Sequence, residues 1–231
     1  MELSLLSALN KERDARRAAI LVTDMSSGKQ RLVCKGDDLS KDPLAAELGS
    51  RFRSGKSGLV DQGDGASAFL TVSVPSPRLV IIGAVHISQA LLPMAEIAGF
   101  DVTVIDPRTA FATEERFAGG TLKAEWPEDV LKTQPLDPFT AVAAVTHDPK
   151  IDDFPLMEAL KTGCFYVGAL GSRKTHGKRV ERFTETGLSD DQIARIDAPI
   201  GADIGAASPA EIAVAVLANI IEALRKAPGA T

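Results

Sequence analysis

The sequence is poor in the side chains that bind metals or carry redox chemistry. Its 231 residues hold two cysteines and three histidines. Cys34 and Cys164 stand far apart, at neither zinc-site nor dithiol spacing. His86, His147 and His176 form no recognisable metal set. A reduced, cytoplasmic setting is therefore expected. Long apolar runs are missing as well. Nothing approaches the roughly 18 to 20 apolar residues of a membrane span, and the N-terminus shows no signal-peptide pattern. Positive charge is short: a net charge of −5 argues against a general nucleic-acid binder. There is little low-complexity sequence and no clear short repeat.

What the chain does have is hydrophobic content, 45% of residues, enough for one large α/β domain or one medium and one small. The apolar run Leu79 to Ile82 ends at Gly83, which suits a strand buried on both faces. Ile87, Ala90, Leu91, Met94, Ala95 and Ala98 then recur on one helical face, and Gly99 supplies a cap. Val102 to Ile105 reads as a second buried strand, ending on Asp106. Strand, helix and strand, with an acid about 20 positions beyond the first glycine, is the plan of a dinucleotide-binding unit. The glycine fingerprint is incomplete. Val85 and Ser88 occupy the second and third glycine places, so the periodicity carries the fold and the motif for nicotinamide binding is weak.

Residues 1–76 read as a small α+β N-terminal domain, with Pro75-Ser-Pro77 a stiff boundary before residues 78–231. Leu5, Leu6 and Leu9 begin a charged helix running through Lys11 to Arg17. Ala18 to Thr23 predicts a strand, and Arg31 to Cys34 its hairpin partner. Leu44 to Arg53 predicts a helix, Ser54 to Gly58 and Asp61 to Gly65 turns, and Ala68 to Val74 a further strand. Gly55-Lys56-Ser57 is no phosphate loop, because position 50 is Ser and no buried strand precedes it. Beyond Arg108 the rhythm continues: strands at 121–125, 140–146 and 164–167, helices opened by Pro127 and spanning 151–161 and 172–186. Ser208-Pro-Ala-Glu211 is a capping box that starts the last helix. The fold class is α/β, a Rossmann-like, mostly parallel sheet wound on both sides.

Ligands of such sheets collect beyond the carboxyl ends of the strands. Five polar clusters fall there: Gly83-Ala84-Val85-His86; Asp106 and Arg108; Thr146-His147-Asp148; Gly168-Ala169-Leu-Gly171-Ser172-Arg173; and Gly201 to Gly205. The fourth is the clearest anion site. Two glycines allow a tight turn, Ser172 can cap a helix, and Arg173 and Lys174 crowd its first turn, followed by Lys178, Arg179 and Arg182. A solvated basic face is the bland alternative. His86 suits either a ligand contact or a cap. His147 is an acid–base candidate, whereas Asp148-Pro149 can simply make a turn, and His176 reads as surface. Asp106 could accept from a ribose and Arg108 meet a phosphate, or the pair could end a strand. Cys164 reads as a small buried hydrophobe, and Cys34 as more exposed.

Leu79-Val-Ile-Ile-Gly-Ala-Val-His86, Asp106-Pro-Arg108, Glu115-Arg-Phe117, Thr146-His-Asp148, Tyr166-Val-Gly-Ala-Leu-Gly-Ser-Arg173, Ala198-Pro-Ile-Gly201, Asp203-Ile-Gly-Ala206 and Ser208 to Ala213 together resemble the C-terminal domain of the XdhC/CoxI family. The resemblance covers about residues 78–225. It implies an accessory factor, a maturation chaperone more than a turnover enzyme, for a xanthine dehydrogenase or carbon monoxide dehydrogenase type molybdoenzyme. It further implies binding of molybdenum cofactor (molybdopterin or its cytosine dinucleotide), help in sulfuration and insertion, a cysteine desulfurase as a further partner, and a homodimer. Two departures mark a short or divergent member. Val85 stands where the family has glycine, and residues 1–76 lack the family's Gly-Gly-Cys segment. The rival readings are an NAD(P)-dependent oxidoreductase, although no Tyr-x-x-x-Lys pair is present, and a nucleotide-binding regulatory protein.

Overall fold

The computed structural model describes residues 2–63 and 65–226, which divide into two compact units, one through Pro75 and one from Ser76. The first unit opens with α1 (Leu3–Asp14), which stops short of the expected Arg17 because Arg16 turns to φ 52°. An antiparallel sheet follows, built from β1 (Ala19–Asp24), β2 (Gln30–Cys34), β3 (Gly58–Gly63) and β4 (Ala66–Ser73), with α2 (Ala45–Ser54) between β2 and β3. The strand order is β2-β1-β4-β3. Ile20, Val22, Val33, Leu44, Leu48, Ala68 and Leu70 form its core.

Strand β3 occupies a stretch expected to be turns. It pairs with β4 from Gly58↔Leu70 to Gly63↔Ala66, with an irregularity between Asp61 and Gly63. Most of its residues are exposed, so a hydrophobic pattern could not reveal it. Backbone pairing with β4 makes the strand, not side-chain burial.

The second unit is a six-stranded parallel sheet in the order β10-β9-β8-β5-β6-β7. Its elements run β5 (Arg78–Ile82), α3 (His86–Ile97), β6 (Asp101–Ile105), β7 (Thr121–Lys123), α4 (Pro127–Thr133), β8 (Thr140–Ala144), α5 (Pro149–Thr162), β9 (Tyr166–Ala169), α6 (Arg173–Glu185), α7 (Asp190–Ile193), β10 (Ile196–Asp197) and α8 (Pro209–Lys226). The Rossmann-like reading is thus correct. Two short elements went unpredicted. α7 starts at a Ser189/Gln192 capping box, and β10 has only two residues, too few to show a period.

All five residues of β8, and four of the five in β5, are buried, which explains their unbroken apolar runs. One core packs α3 and α8 on one face through Leu79, Ile81, Leu91, Ala95, Val216 and Ile220. The other packs α5 and α6 on the opposite face through Val80, Ile82, Leu156, Leu160, Val167 and Phe183. Each such large side chain contributes about 1.5–3 kcal/mol by leaving water. Cys164 lies fully buried just before β9. Burial pushes its thiol up to about 12, as suits a packed hydrophobe.

Where the order of strands reverses, β5 and β8 lie side by side with their crossovers on opposite faces. This puts the switch point of the sheet at the carboxyl edge, where Gly83 and Thr146 follow the two strands.

Candidate functional site

Gly83 ends β5 at φ +118°, and a Cβ there would lie 2.6 Å from Thr146 Cγ2. The glycine therefore serves a close approach of the β5 and β8 loops. Ser88 Oγ donates to the Gly83 carbonyl, so the third fingerprint position closes the turn with a side chain in place of a glycine. Ala84 is buried, Val85 is extended at the N-cap of α3 and packs against the core, and His86 is exposed on the first turn.

Asp106 turns its carboxylate inward. It is fully buried. Its Oδ2 accepts from the Ala84 amide at 2.7 Å and from Arg108 Nη2 at 2.7 Å, and its Oδ1 accepts from the Arg108 amide and Nε at 2.9 Å. Burial by itself would raise this carboxyl's pKa. The hydrogen bonds from Arg108 and Ala84 outweigh it and hold the pKa below the ordinary value. The pair ties the β5 turn to the end of β6. That places Asp106 in a structural role and leaves no free carboxylate for a ribose. Arg108 spends most of its fork on Asp106, and its guanidinium also covers the ring of Phe111 at 4.7 Å.

After β8, Thr146 Oγ1 donates to Asp152 Oδ1 at 2.7 Å and accepts from the Asp148 amide at 3.0 Å. His147 is exposed and held at φ +66°. Asp148 caps α5 by accepting from the Lys150 amide at 3.0 Å, so it is a helix cap and does not pair with His147.

The loop after β9 separates into two parts. Gly168 and Ala169 are buried, and a Cβ on Gly168 would sit 2.7 Å from Ile200 Cδ1 and from the Tyr166 hydroxyl. Gly168 is thus a packing glycine. Gly171 (φ +138°) makes the turn, and Ser172 caps α6 by accepting from the Thr175 amide at 3.2 Å. Arg173 and Lys174 are exposed on the first turn, where helix N–H groups lack intrahelical acceptors. Of the other cations, Lys178 is exposed. Arg182 grips Asp153 through Nε at 2.6 Å and Nη2 at 3.0 Å.

Arg179 is the surprise, being 3% exposed. Its Nη2 donates to the Leu170 carbonyl at 3.3 Å, while Nε and Nη1 are buried with no hydrogen-bond partner. Asp152, fully buried, leaves Oδ2 unpartnered, and His176 leaves Nδ1 unpartnered. Burial pushes the Asp152 carboxyl up to about 6, with Thr146 and Arg179 pulling the other way. Burial, then the charge of Arg179, lowers His176. Asp152 went unpredicted, Arg179 was expected only as one cation of the basic run, and His176 was expected at the surface. The available sign was an acid on the α5 face shared with Pro155, Leu156 and Ala159, and an arginine one turn before buried Phe183 on α6. At the fifth cluster, Asp197 accepts from Tyr166 at 2.6 Å and Asn219 at 2.9 Å, which anchors the base of the Gly201 loop. Among the described residues no group of three His, Cys, Asp or Glu side chains is placed to hold a metal ion.

Residues 79–220 match the model of the XdhC Rossmann domain. The chain is 33% identical over 171 residues to uncharacterized protein YqeB of Escherichia coli, covering 73% of this chain and 31% of that one. It is 31% identical over 153 residues to a probable xanthine dehydrogenase subunit of Bacillus subtilis, covering 66% and 44%. It is 30% identical over 146 residues to the molybdenum cofactor insertion chaperone PaoD of Escherichia coli, covering 63% and 40%. The matched region spans less than half of each of these relatives. The crystal structure of a xanthine dehydrogenase from Bacillus halodurans superposes with a TM-score of 0.64 at 22% identity, over 97% of this chain and 68% of that one, and shares the fold.

Proposed function

The chain belongs to the XdhC family, and from that membership we propose that it is an accessory factor that binds molybdenum cofactor and hands it to a molybdoenzyme of the xanthine dehydrogenase kind. Two relatives bear names that speak for this, one a cofactor insertion chaperone and one a probable component of xanthine dehydrogenase. The same proposal extends to help with sulfuration of the cofactor before transfer, and to a carbon monoxide dehydrogenase as an alternative client.

One observation carries the reading. The Gly171–Lys174 turn offers an anionic group helix amides and two exposed cations, with the unpartnered donors of Arg179 behind them. This donor set fits the phosphate of a pyranopterin. Arg173 and Lys174 would meet that phosphate from the solvent side, and His86 and His147, exposed at the neighbouring loop ends, would face the rest of the ligand. A carrier must release its cargo, and exposed cations that contact only one end of the ligand suit moderate affinity. The inward-turned Asp106 favours this reading over a nicotinamide oxidoreductase, which would need it for the ribose.

The test is equilibrium binding of molybdenum cofactor under anaerobic conditions, against NAD(H) and NADP(H). Micromolar binding of the pterin alone is expected, weakened about tenfold by Arg173→Ala. Binding of nicotinamides without the pterin would overturn the assignment.

A further inference from the structure

Four buried polar atoms of three side chains lack hydrogen-bond partners: Asp152 Oδ2, His176 Nδ1, and Nε and Nη1 of Arg179, whose charge acts on both of the others. α5 supplies the acid and α6 the two bases. The bond from Arg179 Nη2 to the Leu170 carbonyl brings the guanidinium to the base of the turn that opens α6. The nearby acids do not satisfy it. Asp153 lies 4.0 Å from Nε but gives both oxygens to Arg182, and Asp152 Oδ1 is taken by Thr146. Arginine stays charged at any ordinary pH, and a buried donor left without a partner costs about 1–3 kcal/mol. A cation with two idle donors behind a helix N-terminus calls for an anion with several oxygens.

The character of the spot narrows the anion. Its idle atoms are shielded from solvent, so a guest must enter end-on from the turn. A terminal phosphate has three free oxygens, enough for Nη1 of Arg179, an α6 amide and the exposed Arg173, and its monoprotonated form can donate to Asp152. A phosphate esterified on both sides has two free oxygens and would have to seat a second substituent against the buried wall. The alternative phosphate place of this fold, the β5 turn, carries Val85 packed on the core.

We propose that the β9–α6 turn seats a terminal phosphate monoester, with Nη1 of Arg179 donating to one of its oxygens. The chain thereby selects ligands that end in a phosphate over those whose phosphate bridges two groups. The inference deepens the reading of this turn as the cofactor's phosphate site and rests on it. For a pterin cofactor it favours molybdopterin itself over its cytosine dinucleotide.

The full chain is titrated with inorganic phosphate, methyl phosphate and dimethyl phosphate, followed by calorimetry and by the Nε–H resonances of its arginines. Methyl phosphate is expected to bind at least about tenfold more tightly than dimethyl phosphate and to shift the Arg179 resonance. Arg179→Gln should abolish the preference, and Lys178→Gln, the same charge change on an exposed side chain, should keep it. Equal binding of the two esters, or an Arg179 resonance that methyl phosphate leaves unmoved, overturns the proposal even if Arg179→Gln fails to fold. Methyl phosphate bound through Arg179 by a chain that ignores molybdenum cofactor would sustain the phosphate site and sink the chaperone reading. Cofactor binding untouched by Arg179→Gln would do the reverse.

Discussion

Asp152 and Asp106 are both fully buried carboxyls at the carboxyl edge, yet they respond to pH in opposite senses. Burial pushes Asp152 up to about 6, against about 3.9 in an unfolded chain. The folded protein holds this proton in a range where the unfolded chain has released it. The group's contribution is therefore fully present below about pH 4 and is lost as pH rises through about 6. Asp152→Asn cannot titrate, and its amide oxygen can still accept from Thr146. Its stability relative to the parent should climb between pH 4.5 and 7 by about 2–3 kcal/mol, read from urea midpoints, and parallel curves would refute the shift. Asp106, held low by Arg108 and Ala84 against its own burial, contributes stability above its unfolded pKa that acid removes. Asp106→Ala leaves Arg108 unpaired and should cost about 3 kcal/mol in urea unfolding, the cost of a structural tie. A fully stable Asp106→Ala protein with weakened ligand binding would instead make Asp106 a binding residue. Gly168→Ala tests the packing assignment in the same way, since its Cβ would strike Ile200 and Tyr166. A loss of about 1–3 kcal/mol is expected by thermal melting, and an unchanged melting temperature would return Gly168 to the ligand loop.

α6 is the element on which fold and function meet. Its Ser172 cap satisfies an amide of the first turn, and removing the hydroxyl costs about 1 kcal/mol. Ser172→Ala should therefore both lower the melting temperature and weaken methyl phosphate binding, because fraying the first turn disperses the amides that meet the anion. A variant that melts early but binds as before would detach the helix end from the site. The start of this helix, like the β5–α3–β6 unit and the buried β8, could be read from sequence, because period and cap lie within a few residues of one another. β3 and β10 could not be read. One is an exposed edge strand made by backbone pairing, and the other a two-residue addition to β9. The same limit applies to the site. Turns and exposed cations announce themselves, as Gly171 and Arg173 do. The burial of Arg179 and Asp152 is decided by how α5 and α6 pack on the sheet, and a basic run does not reveal which of its cations turns inward until that packing is known.

At the scale of the whole chain, the two units answer to different cores. In the first, seven buried side chains between Ile20 and Leu70 close one antiparallel sheet. In the second, a parallel sheet is covered on both faces by two core layers, the arrangement that keeps its central strands out of water. A domain of about 150 residues buries some 70% of the surface its unfolded chain exposes, enough to be stable without a neighbour. Every group invoked in anion binding, from Thr146 to Arg179, belongs to the second unit. The segment 76–231 expressed alone is therefore predicted to fold, to melt in a single cooperative transition, and to prefer methyl phosphate over dimethyl phosphate as the full chain does. Circular dichroism melting and the same ester titration decide the matter. A segment that fails to fold would show that residues 1–75 complete its stability. A segment that folds without the preference would overturn the assignment of the phosphate site to the Rossmann unit.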